Sequence, residues 1–269
     1  MSVKQLPAYQ NPPLVPRPLF EVAADELLSL FFPTHCAGCG RLGEWLCQPC
    51  RTAAALTTPL SYCQLCGRSV TTPGSLCSFH RDSTGLDGLV SYADYHAPGI
   101  AAAISAAKYQ GVWAALRPLA RYAWLARWHV LSLSAWQAVV PLALDARRER
   151  DRGYNQSAIL ARELGRQLGA PVRTGLRRVR RTEQQVGLNR QDRIRNMDGA
   201  FGWRGHAPTG AVVLVDDVVT TGASLSSAAR TLRAAGAPSV WACTLAFEPA
   251  PDAARGAYLK LPAPQGTMV

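Results

Sequence analysis

The chain has 269 residues, of which 48% are hydrophobic and 17% are charged, and this length can bury the core of one medium α/β domain beside a small module. Its formal charge of +11 favours polyanionic partners, either nucleic acid or phosphorylated small molecules, although a basic, arginine-rich proteome would give the same surplus. Arginines and a histidine interrupt the most apolar long stretch, residues 112–140, which argues against a membrane-spanning helix and favours a soluble protein.

Residues 1–25 are predicted to form a disordered tail. Met1 to Pro18 is polar and rich in proline, whereas a secretory signal begins with basic residues and continues with apolar ones. A cytoplasmic location is therefore expected.

Seven of the eight cysteines lie between residues 36 and 77 in regularly spaced pairs. Repeated Cys-x-x-Cys pairs in a cytosolic chain favour a metal over disulfides, because a two-residue gap lets both thiolates face one tetrahedral ion. Reduced cysteines without a metal are the alternative. The predicted ligands are Cys36, Cys39, Cys47, Cys50, Cys63, Cys66, Cys77 and His80.

Eight ligands predict two structural zinc ions in residues 26–85, each in a closed set of four with no position left for catalysis. One ion is assigned to the first four ligands of the chain and the other to the last four, while a crossed arrangement of alternate pairs stays open. His80 is the weakest assignment, since Cys77 alone would suffice for a single-zinc form. Because the segment is too short to own a large core, the metal is expected to supply much of its folding free energy.

Residues 86–248 are predicted to form an α/β domain with a mostly parallel sheet and right-handed crossovers. Its boundary lies near Gly85, and residues 249–269 are interpreted as a peripheral tail. Cys243 is predicted to be a buried, inert thiol in the last strand. The predicted strands are residues 89–95, 135–144, 211–215 and 240–247 with a short segment near Val172, and the predicted helices lie in residues 100–127, 154–169 and 225–235.

Two basic segments interrupt this pattern. The first is a predicted loop before Gly153 that contains Arg147, Arg148, Arg150 and Arg152. Guanidinium groups match phosphate oxygens, although interleaved acids make a solvated, self-paired loop an equal alternative. The second is a run with few acids, namely Arg173, Arg177, Arg178, Arg180, Arg181, Arg190, Arg193 and Arg195.

The most informative motif is an apolar strand, residues 211–215, that delivers Asp216 and Asp217 into a turn rich in hydroxyl groups. Ser224 is a good helix N-cap and Gly236 a good helix stop, so the turn amides are predicted to lie at a helix N-terminus, which favours an anion such as phosphate. Two carboxylates beside a phosphate need donors or positive charge, and ribose hydroxyls with magnesium meet that need.

This motif resembles the site for phosphoribosyl pyrophosphate in type I phosphoribosyltransferases. The resemblance implies that Asp216 and Asp217 hold the ribose hydroxyls and the associated magnesium. It also implies that the turn cradles the 5′-phosphate. The alternative is an acid pair that merely ends a strand and caps a turn. The implied phosphate residues are Thr220, Thr221, Gly222, Ala223 and Ser224.

Residues 26–248 resemble the ComF (GntX) family, which combines a double zinc ribbon with a phosphoribosyltransferase domain. The residues that carry this resemblance are Lys108-Tyr109, Val140-Pro141, Arg152-Gly153-Tyr154-Asn155-Gln156, Thr182, Gln185, Leu188, Arg193, Asn196, Gly199, Ala200 and Phe201. One departure is Leu142-Ala143, where the family often repeats Val-Pro. The implied fold class is α/β: a type I phosphoribosyltransferase domain with a Rossmann-like parallel sheet, preceded by a small double zinc ribbon.

The resemblance implies a protein of DNA uptake that binds phosphoribosyl pyrophosphate with magnesium and transfers the phosphoribosyl group to an acceptor that the sequence does not identify. Arg152 ranks first among the basic candidates for stabilising the departing pyrophosphate, because it lies in the family signature. A non-catalytic protein that binds single-stranded DNA is the main alternative: the second arginine run would follow the backbone, and an exposed Trp45 or Tyr62 would stack on bases. The same run would otherwise form a mobile lid. A purely structural assembly factor is a weaker alternative.

Overall fold

A computed structural model describes residues 35–55, 60–109, 115–131, 135–180, 196–206 and 208–248. The two tails that the sequence predicts lie outside these residues. So do several residues of the family resemblance and of the second arginine run, namely Thr182, Gln185, Leu188, Arg181, Arg190, Arg193 and Arg195.

The described part of the chain contains a four-stranded parallel sheet, as the alternating pattern predicts. The strand order is β1-β6-β5-β2. Its strands are β1 (Gly88–Asp94), β2 (Ala138–Pro141), β5 (Val212–Val219) and β6 (Val240–Phe247). Two shorter strands, β3 (Leu176–Arg178) and β4 (Phe201–Trp203), form a separate antiparallel pair. No further strand pairs with Val172, which makes only a single bridge to Val139 in the described residues.

Helices flank the sheet and precede it. They are α1 (Gln48–Ala54), α2 (Ser78–Thr84), α3 (Ile100–Tyr109), α4 (Leu116–Ala126), α5 (Trp128–Leu131), α6 (Ala146–Arg152), α7 (Gln156–Leu168) and α8 (Ala223–Ala234). Helix α7 ends at Gly169, which adopts the left-handed conformation with φ +64°, as the glycine there predicts. No helix of the described residues is long and apolar enough to cross a membrane.

Two strands differ in length from the prediction. Strand β2 is only four residues long, whereas the apolar pattern predicted ten. Strand β5 instead continues through both aspartates to Val219, because its pairing with β6 extends to Val219 and Phe247. Strand β1 lies at the edge of the sheet, yet its residues are buried on both faces, as is usual for a parallel strand that is covered on both sides.

The core forms a layer on each face of the sheet, and the cysteine-rich segment contributes to both layers. Leu46 and Leu60 belong to one cluster and Leu76 to the other. Polar contacts add to this packing: the Ser91 amide donates to Gln64 Oε1 at 3.1 Å, and Arg233 Nε donates to the Gly85 carbonyl at 3.2 Å. The segment therefore shares its hydrophobic core with the α/β part.

Candidate functional site

A cavity of about 570 Å3 opens at the carboxyl ends of the four parallel strands. Each strand contributes to its wall, since Tyr95 follows β1, Leu142 follows β2 and Glu248 follows β6, while Asp216 and Asp217 lie in β5. In open α/β sheets, ligands bind outside the carboxyl ends of the strands. This cavity is therefore the candidate binding site.

The two aspartates lie on the cavity wall, and each already has a partner. Asp217 is buried, and its Oδ2 lies 3.0 Å from Lys108 Nζ of α3. Asp216 Oδ1 accepts hydrogen bonds from the Ser157 hydroxyl and from the Asp217 amide, both at 2.9 Å. The second oxygen of Asp216 makes no hydrogen bond or ion pair among the contacts seen in the described residues. The acid pair is thus held by α3 on one side and by α7 on the other.

Burial and mutual repulsion set the protonation of this group. Burial, followed by the charge of Asp217, raises the pKa of Asp216 from the usual 3.8 to about 7, although Lys108 and the Ser157 hydrogen bond oppose the rise. Burial disfavours the charged form of Lys108, but the attraction of Asp217 outweighs it and raises the Lys108 pKa above its usual value. Lys108 is therefore a cation at neutral pH.

The pKa of Asp216 makes stability depend on pH. Because the folded protein keeps the Asp216 proton to a higher pH than the unfolded chain does, raising the pH from about 4 to about 7 favours unfolding. The Asp216→Asn variant lacks this effect. We expect its free energy of unfolding to exceed that of the original chain by up to about 4 kcal/mol at pH 8, and the two values to be nearly equal at pH 4. Denaturant titrations of both proteins across this range provide the measurement, and parallel pH profiles would contradict the shifted pKa.

The turn after β5 lies at the N-terminus of α8 and on the cavity wall. Gly222 is left-handed with φ +75° and caps the N-terminus of α8, and Thr221 Oγ1 accepts from the Ala223 amide at 3.4 Å. All five residues from Thr220 to Ser224 line the cavity. The prediction that Ser224 caps this helix is wrong, because the helix begins at Ala223, two residues earlier than predicted, and Ser224 lies in its first turn. The N-cap, Gly222, adopts a left-handed conformation that glycine takes at no steric cost.

The first basic segment forms a short helix, so the predicted loop is wrong. Asp145 caps the N-terminus of helix α6, where its side chain accepts from the amides of Arg147 and Arg148, and the left-handed Gly153 caps its C-terminus. Residues four apart share a helix face, and one such pair, Arg148 and Arg152, lines the cavity. Arg152 also lies over the Tyr109 ring, 5.7 Å from its centre.

The opposite side of α6 faces solvent. Arg147 pairs with Asp151 at 3.8 Å, and both side chains are largely exposed. Arg150 does not line the cavity in the described residues. Arg148 and Arg152 therefore line the cavity, while the exposed side of the helix carries Arg150 and the Arg147–Asp151 pair. The contact of the two cavity arginines with phosphate stays a prediction.

Three residues of the Arg-Gly-Tyr-Asn-Gln signature have structural contacts. Gly153 ends α6, and the Tyr154 hydroxyl donates to the Ala107 carbonyl. The Asn155 side chain caps α7 by accepting from the Ser157 amide and donates to the Leu142 carbonyl, both at 3.0 Å. These contacts join the end of β2, helix α3 and helix α7 around the cavity. The signature thus positions the Ser157 hydroxyl that holds Asp216.

The described arginines of the second run lie partly in the cavity and partly on the exposed surface. Arg178 lines the cavity and lies 5.7 Å from the centre of the Phe201 ring, and burial lowers its pKa from the usual value. Arg177 and Arg180 are exposed outside the cavity. The two aromatic residues proposed for base stacking, Trp45 and Tyr62, are half-buried and not exposed.

The metal ligands gather in the two sets that follow chain order. In each set the ligand atoms all lie within 4.8 Å of one another, and no crossed set forms in the described residues. Cys39, Cys47 and their partners form the first set, and His80 Nδ1 lies 3.5 Å from Cys63 Sγ and 3.4 Å from Cys77 Sγ in the second. His80 is buried. Four sulfur or imidazole donors around one point fit a tetrahedral zinc ion.

The sequence did not predict a role in the cavity for several residues that the structure places there. Lys108 was known only as part of the family resemblance, Arg178 was counted with the nucleic-acid run, and Ser157 was not named. Gln156 was known only as the last residue of the signature. The available signal was the Lys108-Tyr109 pair at the end of a helix, but its contact with Asp217 joins distant parts of the chain.

Comparisons with known proteins agree with this architecture. Residues 155–260 match the model of the phosphoribosyl transferase domain. The chain is 31% identical to Competence protein F of Haemophilus influenzae over 77% of this chain and 92% of that protein. It is also 31% identical to the DNA utilization protein YhgH of Escherichia coli K12, over 74% of this chain and 89% of that protein.

A solved structure of HGPRT-ase from Leishmania tarentolae overlaps 51% of this chain and 65% of that chain, at 20% identity and a TM-score of 0.27. The family follows from the sequence relatives. Since the match to Competence protein F extends over nearly all of that protein, and a phosphoribosyl transferase domain occupies the second half of the chain, this chain belongs to the competence protein F (ComF) family.

Proposed function

We propose that the cavity binds phosphoribosyl pyrophosphate or a closely related sugar phosphate together with magnesium, and that the protein serves DNA uptake. The proposal depends on the placement of three groups around one cavity: the acid pair, the turn of residues 220–224 (the phosphate turn), and the two arginines Arg148 and Arg152. A phosphorylated pentose carries groups that complement all three. The family domain that matches this half of the chain supports the same ligand class.

Each group of the ligand has a proposed partner. The turn from Thr220 to Ser224 would hold the 5′-phosphate at the N-terminus of α8, where amides and the helix dipole favour an anion. Asp216 and Asp217 would accept hydrogen bonds from the ribose hydroxyls. Arg148 and Arg152 would contact the anionic group at the other end of the sugar.

Magnesium fits this site as an ion that arrives on the phosphates. Lys108 already occupies one side of Asp217 at 3.0 Å, so the acid pair does not offer the open carboxylate oxygens of an all-protein magnesium site. Magnesium retains several waters and is often held by one or two carboxylates with substrate phosphates. Asp216 is the carboxylate in the cavity that is better placed to join it, and the ion would neutralise charge on a departing pyrophosphate.

Transfer chemistry is part of the proposal. The bond from ribose C1 to the pyrophosphate oxygen would break, the electron pair would leave on pyrophosphate, and an acceptor would form the new bond to C1. The protein would orient the sugar through its two acids and stabilise the leaving charge through Arg152 and Arg148.

Thermal unfolding with and without ligand tests the proposed binding. At a concentration of 100 times its Kd, a ligand stabilises the folded state by about 2.7 kcal/mol. We therefore expect phosphoribosyl pyrophosphate with magnesium to raise Tm by several degrees, whereas equal inorganic phosphate with magnesium produces a small shift. Equal shifts for both compounds would mean that the cavity recognises phosphate alone.

The alternative of a non-catalytic single-stranded DNA-binding protein has one specific observation in its favour. Arg177 and Arg180 are exposed on the β3 side of the molecule, outside the cavity, and relatives are named for competence and DNA utilization. Two such cations can contact a nucleic-acid backbone without using the sugar-phosphate site. Both activities can therefore coexist in one chain.

The two activities separate in the Arg177→Ala, Arg180→Ala double variant. We expect it to bind a fluorescent single-stranded oligonucleotide more weakly and with a salt slope reduced by about 1.4, since two phosphate contacts are lost at about 0.7 each. Its Tm shift with phosphoribosyl pyrophosphate should stay unchanged. Arg178 is excluded from the variant because it lines the cavity. An unaltered oligonucleotide affinity would contradict this surface.

A further inference from the structure

Gln156 is a buried polar residue on the wall of the cavity. It is the first residue of α7, is 2% exposed and precedes the Ser157 that holds Asp216. Within the described residues, its Nε2 is buried and has no hydrogen-bond partner. An unpaired buried donor destabilises the folded protein. A ligand group that reached this donor from the cavity would supply the missing hydrogen bond.

The partners available to a sugar hydroxyl explain the use of such a donor. A hydroxyl donates one hydrogen bond and accepts others, whereas an ionised carboxylate only accepts. Once ionised, Asp216 can accept a hydrogen bond from a sugar hydroxyl but offers no donor to the oxygen of that hydroxyl. On the other side of the pair, Lys108 already places a donor beside Asp217 at 3.0 Å. Gln156 lines the same cavity and precedes the Ser157 that contacts Asp216, so its amide is the candidate for this missing donor.

We propose that the Gln156 carboxamide donates a hydrogen bond to a ring hydroxyl of the bound sugar phosphate and makes the cavity select ribose over a deoxyribose. This inference rests on the proposed function, since it assigns a specificity residue to the same site. A site that hydrogen-bonds a hydroxyl rejects an analogue without it, because the polar groups of the site are then left unpaired.

A purely structural role for Gln156 predicts a different result in the free protein. If the side chain served folding, replacement by leucine would destabilise the protein. Removing a buried, unpaired amide and keeping a similar volume is instead neutral or stabilising. We therefore expect free Gln156→Leu protein to have a Tm equal to or above that of the original chain.

Calorimetric titration in magnesium-free buffer tests the proposal with three probes: ribose 5-phosphate, 2-deoxyribose 5-phosphate and 3-deoxyribose 5-phosphate. We expect the original chain to prefer ribose 5-phosphate over at least one deoxy sugar by about 10-fold, the effect of one hydrogen bond. In Gln156→Leu the affinity for ribose 5-phosphate falls to that for this deoxy sugar, and the preference disappears. Gln167→Leu, the same change on the same helix but away from the cavity, should keep it.

Three outcomes would overturn the inference. If Gln156→Leu weakens the binding of all three probes equally, the residue contacts the phosphate group or serves folding. An unchanged preference for ribose would show that Gln156 does not contact the hydroxyl. If the original chain gives no heat with ribose 5-phosphate or phosphoribosyl pyrophosphate, the proposed function fails together with this inference. Heat in the original chain with either of the first two outcomes means that only the inference about Gln156 fails.

Discussion

Cys63→Ser is expected to release one of two zinc ions and to lower Tm by more than about 10 °C, since structural zinc contributes folding free energy directly and each kcal/mol shifts Tm by a few degrees at this size. Cys63 is fully buried and belongs to a core cluster that also contains Leu76, Leu86 and residues from the strands of the sheet. Loss of the ion therefore disturbs more than the ligand loop. Elemental analysis and differential scanning calorimetry provide the measurements.

Cys243→Ala is the matched control for this prediction. Cys243 is buried in β6 and belongs to neither ligand set, and burial raises its pKa above the usual value, so the thiol stays protonated. This variant should keep two zinc ions and lose only the packing of one sulfur atom. A Cys63→Ser protein that retains two zinc ions and the original Tm would contradict the assignment of a metal to the second set.

The second zinc set also connects to the ligand cavity. Arg230 of α8 donates to the Ser83 carbonyl at 3.3 Å, and Arg233 donates to the Gly85 carbonyl at 3.2 Å. Helix α8 begins at the phosphate turn. We therefore expect the zinc-depleted protein to bind phosphoribosyl pyrophosphate more weakly, although none of the zinc ligands lines the cavity.

The double variant Asp216→Asn, Asp217→Asn is expected to bind phosphoribosyl pyrophosphate at least about 100-fold more weakly, because each charged hydrogen bond to a ligand contributes about 1.5–3 kcal/mol. An asparagine keeps the shape of the side chain but loses the charge. Its binding to single-stranded DNA should stay nearly intact, since the exposed arginines lie outside the cavity. Calorimetry and fluorescence anisotropy measure the two affinities.

Stability must be checked separately in this variant. Asp217 forms the buried pair with Lys108, and a buried charge that loses its partner costs about 3–5 kcal/mol. Adding Lys108→Met removes the cation that Asp217→Asn leaves without its partner, so the triple variant separates loss of binding from loss of stability. If the triple variant folds as stably as the original chain but still binds the ligand normally, the acids have no part in binding. Parallel loss of DNA and sugar-phosphate binding would refute the separation of the two sites.

The sequence predicted the metal sets and the location of the acid pair because both depend on short spacings. The Cys-x-x-Cys pairs bring two ligands together within one turn, and the apolar run before Asp216 fixes the strand. The end of that strand could not be predicted, since aspartate disfavours strands and only the pairing of β5 with β6 carries the strand on to Val219.

Helix boundaries in the site show a similar limit. The arginine segment was interpreted as a loop because its charges alternate, yet Asp145 and Gly153 were both cap signals at its ends. At the phosphate turn the preference of Ser224 for an N-cap was overridden by the left-handed Gly222. The contacts of Lys108 with Asp217 and of Ser157 with Asp216 depend on the tertiary fold, so no local pattern predicted them.

The measurement that tests the proposed site most directly is a calorimetric titration of the zinc-loaded protein with phosphoribosyl pyrophosphate and magnesium, beside the Asp216→Asn, Asp217→Asn variant. We predict saturable binding with a micromolar Kd in the original chain and its loss in the variant. Absence of heat in the original chain, or equal binding by both proteins, would show that the cavity at the ends of β5 and β6 is not a site for this ligand.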